Sequence, residues 1–222
     1  MSTLFRLDAS IRREGSVTRA VADTIEAAMA ESLSPTRVVR RDVALDPIPG
    51  AVWAASAFAG FTPDDARTPE QRLAVGRAAE LADELTDADA LIFAVPMYNF
   101  GVSQHFKTWF DVVATDPRFA PGASTLAGRP AVLVTARGGG YGPGTPREGW
   151  DHATAWMRRV LGELWGLDLE VIETELTLAE VTPAMAGLRE LAREQLVGSH
   201  QAARRVGRSV SVRLRGESRI AS

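Results

Sequence analysis

An α/β fold, a three-layer α/β/α sandwich on a five-stranded parallel sheet of order 2-1-3-4-5, is what this sequence predicts, on three observations. Five short strand-like segments, at residues 3–8, 37–42, 91–95, 130–135 and 168–175, are separated by longer stretches with the i, i+3, i+4, i+7 spacing of half-buried helices. Residues 91–95 and 130–135 are almost continuously apolar, as expected of strands buried on both faces of a parallel sheet. Right-handed crossovers then favour a sheet in which strands 1, 3 and 4 are neighbours.

Residues 3–8 form the first strand, and a polar turn leads into a helix over 16–32 with Val17, Val21, Ile25 and Ala28 on its buried stripe. Arg12 and Arg13 precede the positive end of that helix. Its free N–H groups and the hydroxyls of Ser10, Ser16 and Thr18 suit a phosphate, although Ser16 also reads simply as an N-cap. Neither GxxxxGK[ST] nor GxGxxG is present, which points to a terminal monoester rather than a pyrophosphate.

After the second strand, residues 43–68 read as a long loop rich in Pro and Gly. Its Trp53, Phe58 and Phe61 mark either a lid or interface, or a satellite cluster packed on its own domain. A helix over 69–86, with Ala74, Ala78, Leu81, Ala82 and Leu85 inward, leads to the third strand, which Pro96 ends. Met97, Tyr98, Asn99, Phe100 and Gly101 form an irregular hinge. Ser103 is placed as the N-cap of a helix that buries Phe106, Trp109, Phe110 and Val113. Taken singly, Met97 and Phe100 read as packing residues before ligand contacts, whereas Tyr98-Asn99 has no evident core purpose.

The loop over 116–128 precedes the fourth strand, which runs into the glycine-rich A-R-G-G-G-Y-G-P-G-T-P-R-E-G-W. Glycines there let backbone approach a flat ligand, and Arg137 adds a positive charge unless a carboxylate pairs with it. A helix over 150–165 buries Ala153, Trp156, Met157, Val160, Leu161 and Leu164, and the fifth strand follows. A last helix over 182–205 packs through Met185, Leu188, Ala192 and Leu196. The domain thus covers 1–205, and the Arg- and Ser-rich residues 206–222 read as a mobile tail, with an arm onto a partner subunit as the second reading.

In open parallel sheets ligands collect beyond the carboxyl ends of strands, so the loops after strands 1, 3 and 4 are expected to line one pocket. A net charge of −3, from 25 basic and 28 acidic residues, gives no reason to expect nucleic acid or an anionic membrane as partner. With no cysteine and three dispersed histidines, no metal site is expected. No apolar run reaches a membrane-span length, and the first residues enter a strand too early for a secretory signal. The chain is therefore expected to be cytoplasmic.

With these residues in place, the chain resembles the FMN-dependent NADH:quinone oxidoreductases, also known as FMN-dependent azoreductases, of flavodoxin-like fold. Three motifs carry the likeness: the turn from Ser10 to Thr18, P-M-Y-N-F followed by F-K-x-W-F-D, and R-G-G after the fourth strand. The resemblance implies that Ser10, Ser16, Val17 and Thr18 hold the FMN phosphate. It implies that Pro96, Met97, Tyr98, Asn99 and Phe100 line the flavin ring, and that Ala136, Arg137, Gly138 and Gly139 border its pyrimidine edge. It further implies NADH or NADPH as hydride donor, a ping-pong cycle, a small aromatic electron acceptor, and a homodimer with a shared site. Ala136 departs from a frequent family serine, and Tyr141 is placed as a substrate contact.

Rival readings differ in what they require. A response-regulator receiver needs an aspartate where Pro96-Met97 stands, and is excluded. A tailoring reductase for a polycyclic aromatic or quinone biosynthetic intermediate would share every motif. An electron carrier would be shorter and more acidic, and a binding module would take up no flavin.

Overall fold

A computed structural model describes residues 2–33 and 36–220. Strand β1 (Ser2–Asp8) lies between β2 (Thr36–Asp42) and β3 (Ala90–Ala94), and β4 (Pro130–Ala136) and β5 (Asp168–Thr174) follow beyond β3. All pairs are parallel, with Leu4 opposite Ala90, Leu91 opposite Ala131 and Ala131 opposite Leu169. The order is therefore the expected 2-1-3-4-5. The flavodoxin-like topology follows because β3 crosses to the far side of β1 from β2, which puts a switch point between the carboxyl ends of β1 and β3.

Alternate side chains of the central strands feed two cores. Phe5, Leu7, Leu91, Phe93 and Leu133 face α3 (Pro69–Thr86), α4 (Gln104–Val113) and α5 (Thr154–Arg158). Leu4, Ile92, Ala94, Val132 and Val134 face α1 (Val17–Ser32) and α6 (Arg189–Ile220). Trp109 centres the first core, with Phe5, Phe93, Phe106 and Trp165 rings at 5.5–6.2 Å. The aromatic residues of F-K-x-W-F-D are thus packing residues. Helix α3 starts where expected because Thr68 and Gln71 form a reciprocal cap ahead of Pro69.

Four expectations need correction. Residues 43–68 contain α2 (Gly50–Ala59), an Ala-rich segment whose helical propensity outweighs the flanking Pro and Gly. The helix expected from 150 begins at Thr154 and continues as a π-helix over Arg159–Leu164, which leaves Leu164 exposed. The last helix is preceded by a 3-10 turn, Pro183–Leu188, and its expected core face is not buried: Leu188 is exposed and Met185, Ala192 and Leu196 are half-buried.

The fourth concerns the tail expected at 206–222, since α6 runs through to Ile220 and buries Ala203, Val206, Val210 and Leu214 against α1 and the sheet. Residues 221 and 222 lie outside the described residues. Small residues permit the crossing: a Cβ on Gly207 would stand 2.7 Å from the Ile25 carbonyl oxygen, and the Ser211 hydroxyl donates to Met29 O at 3.3 Å. Among the described residues no helix is long and apolar enough to cross a membrane.

Candidate functional site

A cleft of about 300 Å³ opens beyond the carboxyl ends of β1, β3 and β4. It brings together Ser10, Ser16, Val17 and Thr18 after β1, Pro96, Met97 and Tyr98 after β3, and Ala136 and Gly138 after β4. Three loops far apart in sequence meet there, as the strand order requires. Asn99 instead lines a second cavity of about 600 Å³ that shares Ile11 and Tyr98 with the first. Phe100, Arg137, Gly139 and Tyr141 line neither.

The first wall is a helix N-terminus. Ser16 holds the N-cap position with extended backbone (φ −77°, ψ 116°), and its hydroxyl lies 3.3 Å from that of Thr18. No acidic residue occupies the first turn, so nothing there offsets the positive end of the helix dipole. The N–H groups of Val17 and Thr18 belong to the turn that helix geometry leaves without intrahelical partners. The Tyr98 hydroxyl accepts from Ile11 N–H at 3.1 Å and stands 3.4 Å from Ser10 Oγ, which ties the second wall to the first.

The hinge is more regular than its sequence suggests. Met97 pairs with Val102 and Tyr98 with Gly101 in a small antiparallel hairpin, and Asn99 (φ 48°) and Phe100 (φ 67°) form its two-residue turn. Asparagine tolerates positive φ, but phenylalanine there carries strain of roughly 1–3 kcal/mol that its surroundings must offset. Trp150 and Tyr141 pack edge-on to the Phe100 ring at 5.4 and 6.3 Å, and His152 N–H donates to Phe100 O at 3.0 Å. Ser103 caps by position only, since its hydroxyl donates to Ala9 O at 3.4 Å rather than accepting from its own helix.

The side chain of Arg137 does not supply the open positive charge expected of it. It pairs with Asp151 and Glu173 and lies 3.3 Å from Glu175, all away from the cleft wall. Burial disfavours its charge, yet Glu173, Asp151 and Glu175 outweigh that and hold the guanidinium above its ordinary value. Asp151 is also buried enough to resist ionisation. Its bonds from the Thr154 hydroxyl, from Thr154 and Ala153 N–H and from Arg137 prevail, and keep it below the ordinary carboxylate range. Glu175 accepts from Tyr141 N–H at 2.9 Å. The Tyr141 hydroxyl meets Arg147 Nη1 at 3.5 Å, not the cleft.

Ile11, Arg12 and Gly15 of the expected turn also line the cleft, and Thr177 and Leu178, from a loop not expected there, complete it. Thr177 and Leu178 arrive because the loop after β5 runs along the glycines. Leu176, Thr177 and Leu178 N–H donate to the carbonyls of Gly139, Arg137 and Gly138 at 3.1, 3.1 and 3.2 Å. A Cβ on Gly138 would stand 2.6 Å from Leu178 Cδ1, which would have to swing aside to admit it. Among the described residues no cluster of His, Asp or Glu could hold a metal ion.

A family model described as Flavodoxin-like fold matches residues 2–195. A curated FMN-dependent NADH:quinone oxidoreductase of Frankia casuarinae is 38% identical over 92% of this chain and 98% of its own length. That of Frankia alni is 40% identical over 86% and 92%. The chain belongs to the FMN-dependent NADH:quinone oxidoreductase family. An azoreductase from Bacillus anthracis str. Sterne shares the fold of this family member with a TM-score of 0.77 and 21% identity, over 94% of this chain and 100% of the other. An FMN-dependent NADH-azoreductase from Bacillus anthracis str. Ames Ancestor, solved in complex with FMN, superposes with a TM-score of 0.70 at 15% identity, over 93% and 100%.

Proposed function

We propose that this chain is an FMN-dependent oxidoreductase that passes two electrons from NADH or NADPH to quinones, azo compounds or other small aromatic acceptors in a ping-pong cycle. The carrying observation is the single cleft that joins a hydroxyl- and N–H-lined helix terminus to the Pro96–Met97–Tyr98 wall and the Ala136–Gly138 edge. The donor set fits FMN: hydroxyls and a helix dipole for a phosphate monoester, and an adjoining wall for a flat ring. The relatives' names support the same reading.

In this reading Ser10, Ser16, Val17 and Thr18 hold the phosphate. Pro96, Met97 and Tyr98 bear on the ring, and Ala136 and Gly138 offer backbone to its edge, with Arg137 and Gly139 fixing the course of the loop from behind. FMN, when bound, accepts hydride and returns two electrons, and the protein supplies orientation and exclusion of water. Asn99 lines the adjoining cavity, which would take the acceptor, and Phe100 is held by Trp150 and Tyr141 at the hairpin turn. Tyr141 touches the acceptor only if its hydroxyl leaves Arg147, so unchanged acceptor turnover in Tyr141→Phe would remove that role.

We also infer a homodimer that completes the acceptor site. Trp53, Phe58 and Phe61 support this, with Phe61 89% exposed in the isolated subunit. The cytoplasm, where reduced nicotinamide is available, is the compartment proposed. The test is the anaerobic visible spectrum of the purified protein before and after NADH or NADPH, followed by a benzoquinone. Bleaching by the nicotinamide and recovery with quinone is the expected result, and a protein that takes up no FMN on reconstitution would overturn the reading.

A further inference from the structure

Residues 11–15 are exposed throughout and belong to no strand or helix, yet two of their neighbouring carbonyls are fixed from one point. Arg19, one turn into α1, reaches back beneath the turn. Its Nη2 donates to Ser10 O at 2.7 Å and its Nε to Arg12 O at 3.1 Å. The guanidinium is itself held by both carboxylate oxygens of Asp42 at the end of β2, at 2.6 and 3.1 Å. Asp42 is fixed in turn by Ala44 and Leu45 N–H at 3.2 and 3.0 Å.

In a planar trans peptide the C=O and the following N–H point in opposite directions. Drawing the Ser10 carbonyl toward Arg19 therefore turns Ile11 N–H the other way, where it meets the Tyr98 hydroxyl at the cleft wall. The Arg12 N–H donates to Ser10 Oγ at 3.3 Å, so the fixed turn also holds that hydroxyl. We propose that Arg19 is a positioning residue for the phosphate site: anchored on Asp42, it fixes the course of the turn between Ser10 and Ser16 and so sets the Ser10 hydroxyl against the amino end of α1. This rests on the FMN reading above. Arg19 acts through geometry, because its three guanidinium nitrogens serve two carbonyls and a carboxylate at once and a point ammonium cannot.

The test is fluorescence titration of the full chain with FMN and with riboflavin, which lacks the phosphate. Arg19→Met and Arg19→Lys are each expected to lower the preference for FMN over riboflavin by about tenfold or more, with riboflavin affinity changed by less than about threefold. Equal losses for both flavins would reduce Arg19 to a structural residue and overturn the proposal. So would an Arg19→Lys variant that keeps the full preference, since charge alone would then suffice. If both variants fold poorly, Asp42→Asn loosens the clamp from its other end with Arg19 in place. A smaller loss in the same direction is expected, and no loss overturns the proposal. A wild-type chain that binds neither flavin would overturn the FMN reading, a result distinct from wild-type preference retained in the variants.

Discussion

Residues 11–15 and residues 137–152 border the same cleft, yet the first segment is held by side chains from elsewhere and the second largely by its own. The short turn depends on Arg19 from α1 and Tyr98 from the hairpin, and its five residues stay exposed. The long glycine-rich run is laced internally through Arg137–Asp151, Gly144 N–H to Glu148 and Arg147 to Tyr141, with Glu173 and Glu175 closing it from β5 and just beyond. An arginine in a motif is therefore no measure of charge in a site. Arg137 is neutralised where it stands, whereas the turn at 11–15 leads into the Ser16 hydroxyl and the amino end of α1, which no acidic residue in the first turn offsets.

The sharpest way to break this contrast is Arg137→Met. It leaves Asp151 and Glu175 without their cation and Glu173 with Arg158 alone, and a loss of about 3–5 kcal/mol in a urea melt is expected. A loss under about 1 kcal/mol would mean that the run is held by its backbone alone.

Acid comes next. The depressed carboxyls of Asp151 and Asp42 contribute stability that is present above the unfolded carboxylate value near ~4 and fades as pH falls through their lower folded values. Melts below about pH 4 should therefore show a steep decline that Asp151→Asn, already weakened at neutral pH, flattens. An unflattened decline would place the acid-sensitive group elsewhere.

Tyr98→Phe removes the hydroxyl that accepts from Ile11 N–H, with an expected cost of about 1 kcal/mol or less. Hydrogen exchange should quicken at Ile11 and leave the amides of 137–152 unchanged; quickening in both would make the two loops one unit. Smallest is Gly138→Ala, where the exposed end of Leu178 can swing aside. A loss of roughly 1 kcal/mol or less is expected, with a narrowed cleft visible in a crystal structure of the variant.

The parallel sheet was readable because its central strands are continuously apolar, and the hotspots after β1, β3 and β4 follow from strand order alone. What escaped the sequence was tertiary. The charge of Arg137 is taken up by Glu173 and Glu175, 36 and 38 positions away, and such pairing leaves no local pattern. Thr177 and Leu178 enter the cleft by backbone hydrogen bonds that any side chains would permit.

Helix α6 was misjudged for a different reason. Met185, Leu188, Ala192 and Leu196 have core spacing but stand out in solvent or half-buried. The true stripe of Ala203, Val206, Val210 and Leu214 is set among arginines and relieved by Ser199, Gly207 and Ser211, residues chosen for closeness rather than apolarity. The tilt of Asn99 and Phe100 into positive φ was equally silent, since phenylalanine is not a turn residue.

The α1–α6 crossing at Gly207 and Ser211 also sets a clock on synthesis. The helix whose amino end serves the cleft emerges early, but its outer cover lies 182 residues downstream at the Met29–Ser211 contact. At ribosomal speeds of about 5–20 residues per second, α1 waits roughly 10–35 s for that outer cover, although the sheet strands can reach its inner face sooner. That interval leaves the carboxyl half of α1, not the amino end that serves the cleft, without its outer cover.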